Sequence, residues 1–91
     1  MEKNFVFHYD SIKDDMAMSL VEGYIAEHST ALPDGCEIHI YIVWKCKILR
    51  NWKYLISTDI EDGMYYEVTY NGELHEWYLD AYRKVSNEVY R

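Results

Sequence analysis

Histidine and cysteine are the residue types in this chain that could hold a metal ion. They number six: His8, His28, His39, His75, Cys36 and Cys46. Zinc sites use close spacings such as Cys-x-x-Cys or His-x-x-x-His, and none of the six residues follows one. On an extended strand, Cys36 and Cys46 would lie ~33 Å apart, too far for a shared ion or a disulfide. The sequence therefore predicts no metal, no cofactor, and two buried thiols in a reducing compartment.

Two glutamates near the Asn71-Gly72 turn could form a general acid/base pair. A two-residue turn places Glu67 opposite Glu76, where repulsion between the carboxylates would raise one pKa. A three-residue turn places Glu67 opposite His75, which is a benign pairing. No serine or cysteine stands beside a base as an activated nucleophile would, and the glycines are too scattered for a phosphate-binding loop. We therefore predict that the protein is not an enzyme.

Aromatic and basic residues are the other chemistry-bearing types. Ten Tyr, three Trp and two Phe make up 16% of the 91 residues, more than so small a domain can bury. Although the net charge is −7, the stretch from His39 to Thr58 has four basic residues and no acid. Tyr, Trp and Arg dominate interaction hot spots because they offer large, rigid areas with a polar tip. We predict a binding surface made of Tyr41, Lys45, Lys47, Arg50, Trp52, Lys53 and Tyr65.

Three functions fit this pattern, and the favoured one is non-enzymatic binding of a protein partner, or self-association. The second is binding of a small nucleotide or phosphate ligand, with Trp52 or Tyr54 stacking on a base. The third is mimicry of nucleic acid by the acidic flanks of the chain, which would occupy a basic site on a host enzyme. Direct nucleic-acid binding is disfavoured by the net charge. A purely structural alternative is that the tyrosines pack across strands while the lysines pair with Glu67 and Glu76.

The predicted binding surface depends on a segment in which apolar residues occupy every second position. From Cys36 to Ile48 every even position is apolar, so one strand face is predicted to be buried and the other wet. The buried set is Cys36, Ile38, Ile40, Ile42, Trp44, Cys46 and Ile48. A three-residue loop at 50–52 keeps apolar residues opposite each other across the following hairpin. The predicted pairs are Ile48 with Tyr54, Cys46 with Ile56 and Trp44 with Thr58.

The remaining elements follow from periodicity and turn signals. A capping box at 11–14 and an apolar stripe predict a helix over 11–28, with Asp14 and Asp15 on its wet side. Further strands are predicted at 53–58 and 64–70, and a short edge strand at 4–9. Residues 73–91 fit both a strand and a helical stripe, and we predict a strand at 73–78 and a helix at 79–90.

The predicted fold is a single α+β domain spanning residues 1–91. Its antiparallel meander sheet has three to four strands, with an N-terminal helix and a C-terminal helix on one face. Charges interrupt the apolar runs before the ~18–20 residues that a membrane span needs, and the first residues do not form a secretory signal. We therefore predict a cytoplasmic protein with no membrane partner.

Several blocks between residues 43 and 84 resemble a known family. The blocks are Val43–Lys47, Asn51–Lys53, Asp62–Gly72 and Tyr78–Tyr82. They are similar to a small domain of unknown function found in phages and prophages of Gram-positive bacteria, most specifically in Asp62–Gly72. The resemblance implies a phage-type origin, a cytoplasmic location in an infected or lysogenic bacterial host, and a host or defence protein as partner. That family has no known activity, so the resemblance assigns no functional residue.

Overall fold

The fold combines one helix with one five-stranded sheet, in a computed structural model that describes residues 4–8, 12–28, 35 and 37–91. The elements are β1 (Asn4–His8), α1 (Ile12–His28), β2 (Glu37–Ile48), β3 (Asn51–Thr58), β4 (Met64–Asn71) and β5 (Glu76–Arg83). The strands lie in chain order, with β1 parallel to β2 and all other neighbours antiparallel. The α+β class is confirmed. The predicted purely antiparallel sheet of three to four strands is wrong, because β1 adds a parallel fifth strand through the helical crossover.

Helix α1 is confirmed over 12–28, and Ser11 of the predicted capping box lies outside the described residues. It is not the N-terminal element, because the edge strand β1 precedes it; Tyr9 of that predicted strand is also outside the described residues. The side of α1 that faces the sheet is rotated from the prediction. Asp14 is buried, whereas Met16 and Leu20 are exposed. The cause is that Asp14 finds two polar partners on the sheet, described below.

The core lies between α1 and the strands. Its buried apolar residues are Ala17, Met18, Val21, Ile25, Ile38, Ile40, Tyr54, Ile56, Tyr66 and Val68. Alternate residues of β3 and β4 point to the helix, as the period-two pattern requires. Tyr24 of the helix meets Tyr66 edge to face, with ring centroids 5.6 Å apart. This contact fixes the C-terminal half of α1 against β4.

A β-bulge divides β2 into two halves. Even-numbered side chains face the helix before the bulge, and odd-numbered side chains face it after the bulge. Ile42 pairs with Ile56 but Trp44 pairs with Leu55, so Val43 is the extra residue. Before the bulge, Ile38 and Ile40 face the helix and are buried. After it, every side chain changes side. The predicted buried set is therefore wrong in its second half: Trp44, Cys46 and Ile48 are exposed, and Cys36 lies outside the described residues.

The loop between β2 and β3 is also shorter than predicted. Ile48 pairs with Asn51, so the loop is Leu49-Arg50 and not the three residues at 50–52. Leu49 adopts a positive φ of 58°, which a two-residue hairpin loop demands. We predicted that Ile48, Cys46 and Trp44 would pair with Tyr54, Ile56 and Thr58, respectively. These pairs are wrong, because each residue of β2 pairs with a residue of β3 that is nearer the loop. The observed pairs are Ile48 with Asn51, Cys46 with Lys53 and Trp44 with Leu55.

The C-terminal part of the chain differs most from the prediction. Residues 76–83 form β5, which pairs with β4 without interruption from Met64–Arg83 to Asn71–Glu76. Residues 84–91 contain no helix, and Val85 and Val89 are exposed. The predicted strand at 73–78 is thus displaced, and the predicted helix at 79–90 is wrong. Trp77, Tyr78 and Tyr82 favour strand structure strongly, and pairing with β4 outweighs the helical stripe.

Candidate interaction surface

One face of the sheet carries no covering layer in the described part of the chain. α1 lies on the other face, and no other described helix or strand packs against the sheet. We call this surface the open face. Its large side chains include Tyr41, Trp44, Leu55, Tyr65, Tyr78 and Tyr82. The five aromatic residues among them are each 37–44% exposed.

The open face is ordered by cross-strand pairs. Tyr65 of β4 lies opposite Tyr82 of β5, and their rings stack with centroids 5.2 Å apart. The bulge at Val43 brings Trp44 onto this face, opposite Leu55. Such aromatic and aliphatic cross-strand pairs fix side-chain positions relative to one another. The surface is therefore formed before any partner arrives.

Charges on the open face are few and partly compensated. Glu67 lies directly opposite Asp80, an unfavourable pairing of like charges. Lys53 Nζ lies 3.5 Å from Glu67 Oε1 and reduces that repulsion. The Glu67 carboxylate is also the main cause that raises the pKa of the neighbouring Tyr82 hydroxyl, followed by burial and Asp80. At neutral pH the Tyr82 hydroxyl is thus an available hydrogen-bond donor.

A second aromatic group lies on the helix side of the sheet, near the start of α1. We call it the cation–aromatic cluster; it consists of Lys13, Lys45, Lys47, Trp52, Tyr70 and Trp77. Lys13 Nζ lies 3.9 Å from the Tyr70 ring centroid and 5.7 Å from that of Trp77. Lys45 and Lys47 approach the Trp52 ring at 6.0 and 5.7 Å. These are cation–π distances, and they hold three lysines over one aromatic row.

A buried carboxylate connects this cluster to the core. Asp14 accepts a hydrogen bond from the Tyr54 hydroxyl at 3.0 Å and one from Lys45 Nζ at 2.8 Å. The side chain of Asp14 is 1% exposed and that of Lys45 is 35% exposed. Burial raises the pKa of the Tyr54 hydroxyl well above its usual range, and the hydrogen bond to Asp14 raises it further. Tyr54 therefore stays protonated and serves as a permanent donor to Asp14.

The bulge divides the predicted binding surface between two sides of the molecule. Tyr41, Lys53 and Tyr65 lie on the open face. Lys45 and Lys47 lie on the helix side because they follow the bulge. Trp52 lies there because it pairs with Lys47. Arg50 lies in the β2–β3 loop. The seven residues thus do not form one continuous surface.

The two glutamates considered as an acid/base pair are not neighbours. Four residues separate β4 from β5, so Glu67 faces Asp80 and Glu76 faces Asn71. Glu76 instead accepts a short hydrogen bond from the Tyr78 hydroxyl, and this bond is the main cause that raises the pKa of Tyr78. His75 bonds to the Tyr70 hydroxyl at 3.1 Å. Both turn lengths that we considered from the sequence are wrong.

The described residues contain no group of three or more His, Cys, Asp or Glu side chains placed to bind a metal ion. Within the same ranges, no helix has the length and apolar character required to cross a membrane.

Seven of the residues named in these two surfaces are absent from the predicted binding surface: Lys13, Trp44, Leu55, Tyr70, Trp77, Tyr78 and Tyr82. Lys13 lies in the predicted helix, far along the chain from the aromatic residues it covers. Tyr78 and Tyr82 belong to the segment predicted to change from strand to helix. Trp44 was assigned to the core. The run Ile42-Val43-Trp44, three apolar residues in succession, is the one signal that could have revealed the change of phase in β2.

Taken together, the fold and these surfaces define a small α+β domain that exposes an aromatic sheet face. The chain belongs to a family of unknown function, DUF6275, whose model matches residues 12–91. The predicted membership of a family of unknown function is confirmed, and the match extends well beyond residues 43–84. No curated protein and no solved structure matched the chain.

Proposed function

We propose that this chain is a non-enzymatic interaction module that binds a protein partner through its open face. The observation that carries the proposal is the uncovered sheet surface with its five half-exposed aromatic side chains. An amphipathic sheet is ordinarily stabilised by packing its apolar face on a second layer. Here one face has α1 and the other has exposed Tyr and Trp, the residue types that supply most interface binding energy.

The dimensions of the molecule support a standard-size interface. The chain measures 44 × 39 × 22 Å, so it is flat and its broad side is the sheet. A stable protein–protein interface requires about 800 Å² from each partner. The broad side is large enough to supply that area. A surface of this kind on a chain that worked alone would be an aggregation liability.

The charge pattern suggests which partner surface fits. The centre of the open face holds Leu55, the Tyr65–Tyr82 stack and the Lys53–Glu67 pair. Asp80 leaves one uncompensated negative charge beside them. We therefore infer a partner with an apolar patch bordered by a basic residue opposite Asp80, in which the charges set orientation and association rate.

The biological setting is part of the proposal. The blocks between residues 43 and 84 resemble a phage and prophage domain, and this resemblance supports a phage-type protein acting in the cytoplasm of an infected or lysogenic bacterium. A host or defence protein is then the expected partner.

The test is partner capture followed by quantitative binding. The tagged chain is expressed in bacterial cells, the retained protein is identified, and its affinity for the purified chain is measured. Replacing Tyr65 with Arg introduces a charge at the centre of the open face and should weaken binding at least about a hundredfold, as for a hot-spot residue. Trp44→Arg should have a comparable effect.

The matched control is Tyr90→Arg, which makes the same change at a residue that is 86% exposed and outside the open face. It should leave the affinity unchanged. Circular dichroism and thermal unfolding establish that each variant is folded. Equal affinities of the Tyr65, Trp44 and Tyr90 variants would disprove the role of the open face.

A second candidate function is binding of a nucleotide or another phosphate ligand, and the cation–aromatic cluster favours it. Lys13 and Lys47 form no ion pair within the described residues, and both lie over aromatic rings. Such a ligand would place phosphate on the lysines and a base on Trp52 or Trp77. ATP, GTP and inorganic phosphate should then raise the melting temperature, and Lys13→Ala with Lys47→Ala should abolish the rise. No shift with any of the three would exclude this function.

A further inference from the structure

Strand β5 is an outer strand of the sheet with one unpaired edge in the described structure. Its eight residues contain no proline and no glycine, and they pair with β4 without a bulge. Native proteins usually shorten, bend or cover such edges, because regular unpaired strands recruit other strands. β5 is instead regular, of full length and rich in strand-forming side chains. This edge is therefore suited to pairing with another strand.

One hydrogen bond shows which backbone groups face outward. Lys84 N donates to Gly63 O at 2.7 Å, and these residues continue the register of β4 and β5. Hydrogen-bonded and non-hydrogen-bonded pairs alternate along an antiparallel ladder. The even-numbered residues of β5 are therefore bonded to β4. The N–H and C=O groups of Trp77, Leu79, Ala81 and Arg83 point to the free edge.

We propose that β5 pairs with β5 of a second copy of this chain, antiparallel and about a two-fold axis at Leu79. The dimer has one continuous ten-stranded sheet, with both copies of α1 on the same face. This inference does not rest on the proposed function, because it uses the edge of the sheet; of the residues at the centre of the open face, only Tyr82 takes part in it.

The register follows from the outward groups and the side chains together. Outward residues must pair with outward residues, so two registers align seven residues of each strand, one centred on Leu79 with Leu79 and one on Leu79 with Ala81. Registers centred on Trp77 with Leu79 or on Ala81 with Ala81 align only five. The register centred on Leu79 with Ala81 places Asp80 opposite Asp80 of the second copy, where the two carboxylates repel each other. The Ala81 pair engages only the C-terminal half of β5. The Leu79 pair aligns residues 76–82 with residues 82–76.

Side chains match throughout the Leu79 register. On the helix side, Leu79 meets Leu79, and the large Trp77 lies opposite the small Ala81. On the open face, Tyr78 lies opposite Asp80, and Tyr82 lies opposite Glu76. Within one chain Tyr78 donates its single hydroxyl proton to Glu76. In the dimer Tyr78 would donate to Asp80 of the second copy instead, and Tyr82 would donate to Glu76. Apolar residues thus meet apolar residues, and every acid of the strand meets a donor.

The first test measures the oligomeric state of the full chain by sedimentation velocity over a wide concentration range. The wild-type chain should dimerise. Ala81→Pro removes an outward N–H from each strand and leaves the bonds to β4 intact, so it should weaken the dimer at least about tenfold. Ala81→Ser keeps the N–H and should dimerise as the wild type does. A monomeric wild type, or a folded proline variant with unchanged affinity, would overturn the proposal.

The second test probes the register without relying on the proline variant. In the Leu79 register the two Cα atoms of residue 79 lie ~5.5 Å apart, within the range of a disulfide. Leu79→Cys should therefore cross-link under mild oxidation, in a Cys46→Ser background, with the linked peptides identified by mass spectrometry. Ala81→Cys should not, because its two copies are ~13 Å apart along the strands. Cross-linking through residue 81 and not 79 would refute the Leu79 register.

Discussion

The backbone N–H of Gly72 donates a hydrogen bond to Asn51 Oδ1 at 3.0 Å and so joins the two loops at one end of the sheet. Asn51 is the first residue of β3, and Gly72 begins the turn between β4 and β5. A Cβ on Gly72 would lie 2.0 Å from the carbonyl oxygen of Arg50. The two hairpins can therefore meet only because residue 72 has no side chain.

Gly72→Ala should lower the free energy of unfolding by about 3 kcal/mol or more, because backbone must move away from backbone. Gly23→Ala is the matched control. A Cβ on Gly23 in α1 would meet no atom within 4 Å, so alanine there should stabilise the helix by about 0.5–1 kcal/mol. Urea unfolding of both variants measures the difference. A Gly72 variant as stable as the wild type would contradict the close packing of the loops.

Asp14 should matter far more for stability than an exposed acid does. Asp14→Ala removes the buried carboxylate to which the Tyr54 hydroxyl and Lys45 Nζ donate, and should cost about 3 kcal/mol. Lys45 is partly exposed and can turn to water, which limits the loss. Glu67→Ala removes the partly exposed pair with Lys53 and should cost less than ~1 kcal/mol. Urea unfolding compares the two variants, and equal costs would show that Asp14 is not held as described.

The stability of the protein should fall at alkaline pH because of buried tyrosines. Burial, aided by Asp62 and Tyr24, raises the pKa of Tyr66 to about 12. An unfolded tyrosine ionises near pH ~10, so above that pH the unfolded state loses protons that the folded state keeps. The stability contribution of the neutral hydroxyl is complete below pH ~10 and is lost between ~10 and ~12.

Tyr66→Phe should therefore make the free energy of unfolding less dependent on pH between about pH 10 and about pH 12. Tyr90→Phe, at an exposed position, serves as the control and should leave the dependence unchanged. Urea unfolding across this pH range provides the measurement. The same slope in the wild type and the Tyr66 variant would argue against the raised pKa.

The thiol of Cys46 reports on the bulge in β2. Without the bulge, Cys46 would face the helix and be protected; with it, Cys46 is exposed on the other face. Native protein should therefore react with a thiol reagent at Cys46 without unfolding. Mass spectrometry of the labelled peptides identifies the site, and Cys46→Ser removes that signal. Protection of Cys46 until denaturant is added would mean that the alternation in β2 is unbroken.

Much of the fold could be predicted because local pattern and final packing agree. The helix at 12–28 and the strands β2, β3 and β4 follow their periodicity to within a few residues. The bulge could not be predicted from alternation, because the apolar pattern of β2 continues across it without interruption. The bulge places Lys45 on the helix side, where it pairs with buried Asp14 across 31 positions of sequence. The period-two pattern contains no information about such a long-range contact.

The C-terminal segment shows a different limit. Residues 76–83 satisfy a helical stripe and a strand equally well in isolation, and only β4 decides between them by offering its free edge. The candidate site depends on both the bulge in β2 and the strand structure of residues 76–83. Tyr78 and Tyr82 reach the open face because β5 is a strand, and Trp44 reaches it because of the bulge. A site built from such positions cannot be predicted from residue types alone.

The parallel pairing of β1 with β2 has a consequence for the order in which the protein folds. Neighbouring strands from β2 to β5 are joined by short turns, whereas β1 meets β2 only after the seventeen residues of α1. Closing the longer loop costs more entropy, so the meander should assemble early and β1 last. Pulsed hydrogen exchange during refolding should show amides of β3 and β4 protected before those of β1. Strand β1 would then pair with β2 only after strands β2 to β5 have folded, and it would stabilise a sheet that already exists.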